Sequence, residues 1–210
     1  VSQPSLGNPP ASLPGFPRAP VPASLARVGR RGKGPWWFSS NGSGRFDLRK
    51  PEGTCYLATD AFAALREATR AGPVTPAWVA ERVLHVLQPP DQAAQLAATT
   101  RAAAARFGLT KELVTILPYD LPQRWAAAFR RHGLAGVRHE LRHDPRARPS
   151  GVSLFGPADD ARWPAPPPRP ITEADVRAAG VPVLPVPSSA TLTILDIPRR
   201  PSPGSGRRRR

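Results

Sequence analysis

Cysteine, lysine, tyrosine and methionine are scarce in this sequence. The single cysteine, Cys55, excludes an internal disulfide framework and fits a reducing compartment such as the cytoplasm. No apolar run reaches the roughly 18 residues of a membrane span. The first residues lack a basic start followed by a continuous apolar stretch, so they do not read as a signal peptide. There is no dinucleotide-binding glycine fingerprint, no Walker A segment and no internal repeat. Acidic residues number 15 against 30 basic ones, a net charge of +15. Such a field attracts polyanions non-specifically. Only three of the basic residues are lysines and 27 are arginines. A nucleic-acid surface does not require that ratio, and a general bias toward Arg, Ala and Pro accounts for it. Nucleic acid is therefore expected only as an indirect or non-specific partner.

What is present is a chain of 210 residues with 40% hydrophobic content, enough for one cored domain. Seven of the 29 prolines fall in residues 1–24 and five in 161–170. The proline-rich head, 1–24, and the arginine-rich tail, 199–210, read as disordered, which leaves 25–198 as the folded domain. Strands are expected at 25–28, 54–58, 82–87, 136–141 and 151–156, with further strand-like pieces at 181–186 and 190–198. Helices are expected after Thr59 or Asp60, after Thr75-Pro76, over the alanine-rich 91–107, over 121–132 and after Thr172. The 121–132 helix is the clearest: Leu121, Trp125, Ala128 and Phe129 share one side. Residues 111–116 are ambiguous. The mixed order of elements, without a regular βαβ beat, predicts an α+β fold with a compact mixed sheet and short helices.

The segment 45–67 carries the most chemistry. Arg45 follows Gly44 in a glycine-rich loop, where a guanidinium fork can meet a phosphate or carboxylate. Arg27 lies inside a short apolar strand, so it must reach solvent or be paired. Tyr56, on the strand before the first helix, offers a ring for stacking and a hydroxyl. Glu67 lies on or beside the apolar stripe of that helix, where a carboxylate can stabilise positive charge on a sugar carbon. Each residue also has an ordinary structural use: solvated arginine, packed tyrosine, or a glutamate paired with Arg70. His139 and His143 straddle a change from strand to loop, Cys55 sits in a strand and Asp144 precedes a proline, so no metal site is expected.

Taken in order, LARVGRRGKGPWWFSSNGSGRFDLRKPEGTCYLATDAFAALREA, FGLTKELVTILPYDLPQRWAAAFRRHGLAGVRHELRHDP, GVSLFG and VPVLPVPSSATLTILDIP resemble the RES-domain family across about residues 25–198. The resemblance implies a fold related to ADP-ribosyltransferase toxins. It implies an NAD+-consuming enzyme that cleaves the nicotinamide–ribose bond by phosphorolysis or hydrolysis, acting as the toxin of a toxin–antitoxin pair with a helix-turn-helix antitoxin. NAD+ would be substrate, with inorganic phosphate as an optional co-substrate and no prosthetic group. Arg27 and Arg45 fall on the family's site arginines, Tyr56 on its tyrosine and Glu67 on its glutamate. Glu67, Arg45 and Arg27 are thereby the expected catalytic residues, and Arg27, Arg45, Tyr56 and His139 the expected substrate-binding ones. The chain departs from the family at its later tyrosine and serine positions, which here hold His139 and Leu141. Ser150 and Ser153 are the nearby hydroxyls. Leucine offers no hydrogen bond, so a catalytically weak binding module and a protein ADP-ribosyltransferase remain as alternatives.

Overall fold

The computed structural model describes residues 5–91 and 93–185. An eight-stranded sheet organises them. In chain order its strands are β1 (Arg18–Pro20), β2 (Leu25–Arg30), β4 (Glu52–Ala58), β5 (Arg82–Leu87), β6 (Gln95–Ala98), β7 (Gly136–His139), β8 (Gly151–Pro157) and β10 (Arg169–Pro170). In space they run β1-β6-β7-β8-β4-β2-β5-β10, and β3 (Trp37–Phe38) pairs separately with β9 (Asp159–Asp160). Only β6 and β7 pair in parallel; the other named pairings are antiparallel.

Alternation along the strands sends side chains to two faces. On one face Leu25, Cys55, Leu57, Leu96, Val152 and Leu154 pack with Trp36 and Phe38. The opposite face holds two clusters. Around α4 (Asp120–Arg131), Trp125, Ala128 and Phe129 pack on Val137 and Phe155, together with Phe46 and Leu48. Around α1 (Ala61–Thr69), Ala63, Ala64 and Leu65 pack on Ala26 and Ala58. The latter cluster also holds Val79 of α2 (Pro76–Ala80) and Val176 of α5 (Glu173–Ala178).

Local signals placed these helices. Asp60 caps α1 by accepting from the Ala63 N–H, and Thr75 caps α2 with Pro76 in the first turn. Thr172 and Asp175 form a capping box at α5. The chain then departs from the sequence expectation in two places, 91–107 and 181–185, and settles the ambiguous 111–116. Residues 91–107 are not one helix: β6 fills 95–98, and a 3₁₀ helix spans Ala102–Phe107 up to Gly108 at φ 79°. Alanine has helix propensity but no stripe to bury, and pairing of β6 between β1 and β7 outweighs it. Residues 111–116 contain a single helical turn, α3 (Glu112–Thr115). Residues 181–185 form no strand; they contribute one isolated bridge, Val74 to Val183. The expected strand at 190–198 and the tail 199–210 lie outside the described residues.

The head corrects the domain boundary. From residue 5 onward it is built into the fold rather than disordered. Leu6, Leu13 and Phe16 are buried in the α4 cluster, and β1 pairs with β6. Phe16 packs against Phe107 and Phe129 with ring centroids 5.0 and 4.9 Å away. The apolar residues between its prolines anchor it to the α4 cluster, which composition alone does not reveal.

Candidate functional site

The two clusters on the α-helical face of the sheet part between α1 and α4, leaving a cavity of about 630 Å³. Its floor is β2 and β4. The 43–46 loop, α1, the segment after β7 and the 114–119 segment form its walls. Arg45, Tyr56, Glu67 and His139, separated by as much as 94 residues in sequence, all line it. Arg142, Arg70, Glu140, Leu141 and Tyr119 join them.

Arg45 is the cation most firmly held there. Its Nη1 donates to the Ile116 carbonyl at 2.8 Å, and its guanidinium carbon lies 4.6 Å from the centre of the Tyr119 ring. Burial lowers its pKa, opposed by Tyr119 and Glu67 and assisted by the neighbouring cation Arg142. An arginine stays protonated under such a shift.

The loop carrying Arg45 is tied down by a buried carboxylate, Asp47. It accepts from the Tyr56 hydroxyl at 2.7 Å, from Ser39 Oγ at 2.8 Å and from the Gly44 N–H at 3.0 Å. Tyr56 Oη in turn accepts from the Phe46 N–H at 2.9 Å. Burial, and then the Asp47 carboxylate, push the Tyr56 pKa well up, keeping the phenol neutral and donating. A Cβ on Gly44 would collide with Asp47 Oδ1 and Tyr56 Oη, so only glycine allows this closure. From the far side, Gln123 of α4 donates to the carbonyls of Gly42 and Gly44, both at 2.9 Å. Tyr56 thus presents its ring to the cavity but has committed its hydroxyl to the loop.

Glu67 faces the cavity differently. It sits on the exposed side of α1, and its carboxylate has no hydrogen-bond or ion-pair partner among the described residues. The expected pairing with Arg70 does not form; Arg70 is the left-handed C-cap of α1 at φ 53°. Glu67 is instead felt by Arg45 as a favourable charge.

His139 is buried, and burial lowers its pKa to about 4. Its Nδ1 lies 3.0 Å from the Glu140 carbonyl and its Nε2 3.0 Å from Ser153 Oγ. A carbonyl only accepts, so Nδ1 carries the proton and Nε2 receives one from Ser153. Both nitrogens are occupied, and the ring packs 4.9 Å from Phe46. Gly151, opposite His139 in the β7–β8 pair, has no room for a side chain against that ring. Ser153 supports His139 from below and Ser150 is buried beside Asp144; neither lines the cavity.

Arg27 is the residue whose place the sequence did not foresee. It borders the cavity, but its alternation on β2 matches Leu25, which packs on the opposite face. Its Nη1 donates to the Pro35 and Trp37 carbonyls, the latter at 3.3 Å, and to Cys55 Sγ at 3.1 Å. The guanidinium is spent on holding the 35–37 segment against β4. Cys55 beside it is fully buried, with burial raising its pKa to about 11, as expected of a packed thiol rather than a nucleophile.

The wall after β7 is clamped to α1. Asp60, besides capping α1, receives Arg146 at 3.1 Å and Arg148 at 2.6 Å. Arg146 also meets the buried Asp144 at 2.7 Å and lies 4.3 Å over the Phe62 ring. Arg66 donates to the His143 carbonyl at 2.6 Å. These contacts fix the loop that delivers Arg142 and His143 to the cavity. Asp47, Tyr119, Glu140 and Arg142 were not singled out from sequence; they gain meaning only from contacts across dozens of residues. The one local hint was Asp47, three residues after a turn glycine, a common place for a carboxylate that caps backbone N–H groups. Among the described residues no cluster of metal-ligating side chains occurs and no helix is long and apolar enough to cross a membrane.

No family model and no curated protein matches the sequence. The fold is similar to that of a chain in the crystal structure of the M. tuberculosis MbcT–MbcA toxin–antitoxin complex, with a TM-score of 0.61 over 77% of this chain and 91% of that one. The two sequences are 14% identical, so the likeness establishes a shared α+β fold.

Proposed function

We propose that this chain cleaves the nicotinamide–ribose bond of NAD+ and serves as the toxin of a toxin–antitoxin pair, held in check by a helix-turn-helix antitoxin. The observation that carries the reading is a carboxylate, Glu67, with no hydrogen-bond or ion-pair partner among the described residues, sharing a cavity of about 630 Å³ with the half-buried cation Arg45. The resemblance of the sequence to the RES-domain family and the fold shared with a chain of a toxin–antitoxin complex support it.

The chemistry follows from the substrate. NAD+ has a cationic nicotinamide that leaves neutral, so positive charge develops on the ribose carbon as the bond breaks. Glu67 stabilises that charge and orients the attacking oxygen of water or phosphate. Arg45 and Arg142 hold the pyrophosphate, and with phosphate as nucleophile they offset its charge near Glu67. With phosphate, the C–N bond breaks, a C–O bond forms and the products are nicotinamide and a phosphorylated ADP-ribose. Tyr56 supplies a ring face and His139 a neutral wall. Arg27 acts as a positioning residue for the 35–37 segment.

The test is nicotinamide release from NAD+ by the purified protein, with and without inorganic phosphate. Glu67→Gln is expected to lower the rate at least about hundredfold with an unchanged melting temperature. No release under either condition overturns the reading. A specific observation favours a second one: the Arg27 guanidinium, Tyr56 hydroxyl and His139 nitrogens are all committed to protein partners, and Leu141 supplies no hydroxyl. A weakly catalytic binding domain would bind ADP-ribose yet release no nicotinamide. Transfer of ADP-ribose to a protein would appear as a labelled acceptor.

A further inference from the structure

A second, smaller cavity of about 150 Å³ opens beside the first, and Val114 and Glu140 line both. Ligand pockets commonly enclose about 300–1,000 Å³, so this space is too small to be a separate site and fits an annexe to the larger one. Leu109, Leu113 and Val114 give it an apolar floor. Thr100, Thr110, Arg101 and Lys111 stand at its polar edge. Between the two spaces stands Glu140, half-buried, whose carboxylate has no hydrogen-bond or ion-pair partner among the described residues. Its neighbour His139 fixes the backbone there by donating to the Glu140 carbonyl.

We propose that the annexe holds the adenosine end of the dinucleotide, with the base on Leu109, Leu113 and Val114 and the adenosine ribose hydroxyls donating to Glu140. This rests on the reading of the main cavity as an NAD+ site. It orders the substrate along one line: nicotinamide ribose at Glu67, pyrophosphate at Arg45 and Arg142, adenosine ribose at Glu140, base in the annexe. A carboxylate accepts from both hydroxyls of a ribose, as acidic residues do in other dinucleotide sites. It also repels a 2′-phosphate, so the site prefers NAD+ to NADP+.

Two variants test this against two substrates, NAD+ and nicotinamide mononucleotide, which has the same scissile bond but no adenosine. Glu140→Gln removes the charge. Ala105→Trp fills the annexe from an exposed rim position. Each is expected to raise KM for NAD+ about tenfold, with kcat within about twofold, and to leave kcat/KM for the mononucleotide unchanged. Glu140→Gln should also narrow the preference over NADP+. Equal effects on both substrates, or none on either, overturn the subsite. If the native protein cleaves neither, binding of ADP-ribose by calorimetry decides: tight binding weakened by Ala105→Trp supports the subsite even though the enzymatic reading has failed, and no binding, or binding that Ala105→Trp leaves unchanged, overturns it.

Discussion

Asp47 shows how one buried side chain governs a cationic site without reaching the cavity. It satisfies three donors, and each ties the Gly44–Leu48 turn that presents Arg45. Asp47→Asn keeps the shape but turns an acceptor-only group into one with two donors, setting an N–H against at least one existing donor. The expected outcome is a loss of about 1–3 kcal/mol in chemical denaturation and a larger loss in kcat/KM than Tyr56→Phe produces. Equal effects would mean that the Tyr56 hydroxyl is the only contact that matters. His139 makes a pH prediction. Its folded pKa, about 4, lies below its ordinary 6.5 because of burial, so between those values the unfolded chain binds more protons. Stability from this group is complete above pH 6.5 and is lost as pH falls through about 4, amounting to about 3 kcal/mol. Denaturation midpoints from pH 7 to 4 check it, and His139→Asn should flatten the profile.

At the scale of elements, the wall after β7 depends on ionic contacts rather than on its own helix or strand. Arg146 joins Asp60 at the start of α1 to the buried Asp144. The Arg146 hydrogen bond holds the Asp144 carboxyl below the usual carboxylate range. For Asp60, burial acts upward but is outweighed by the Ala63 N–H and by Arg146 and Arg148, so its pKa also falls. Both contributions are present above the ordinary carboxylate pKa of about 4 and vanish as pH drops below it. Arg146→Ala should cost about 1–3 kcal/mol. It should also accelerate hydrogen exchange in residues 141–149 more than in β4 or β8. Exchange that rises uniformly would mean the clamp supports the whole fold and not the wall. The boundary of α1 was legible because its cap is local: an aspartate accepting from the N–H three residues on. The 95–98 strand was not, since Gln95–Ala98 becomes a strand only through partners at residues 18–20 and 136–138.

For the molecule as a whole, the head is the largest departure from a composition-based boundary. Phe16 is 4% exposed and meets two aromatic rings in the α4 cluster. Phe16→Ala should cost about 3–5 kcal/mol, measured by urea denaturation. A value near zero would restore the disordered-head reading. The head also buttresses the helix that grips the Arg45 loop: the Gly7 carbonyl accepts from Trp125 of α4 at 2.9 Å. Its removal is therefore expected to weaken the site as well as the fold.

The sequence by itself determined the α+β class, the strands 25–28, 54–58, 82–87 and 151–156, the capped helices, and the candidacy of Arg45, Tyr56 and Glu67. Those rest on local causes: alternation, caps, glycine loops and the identity of the chemical groups. Only the tertiary structure decided which groups are available. Glu67 is without a hydrogen-bond or ion-pair partner among the described residues, although Arg70 lines the same cavity. Tyr56 has committed its hydroxyl because Asp47 folds back beneath it. Arg27, one residue from the floor position Ala26, turns to the other face of the sheet because successive strand residues must. A side chain's chemistry is written in its name. Whether it still has a free hydrogen bond to offer depends on neighbours that only the folded chain brings near.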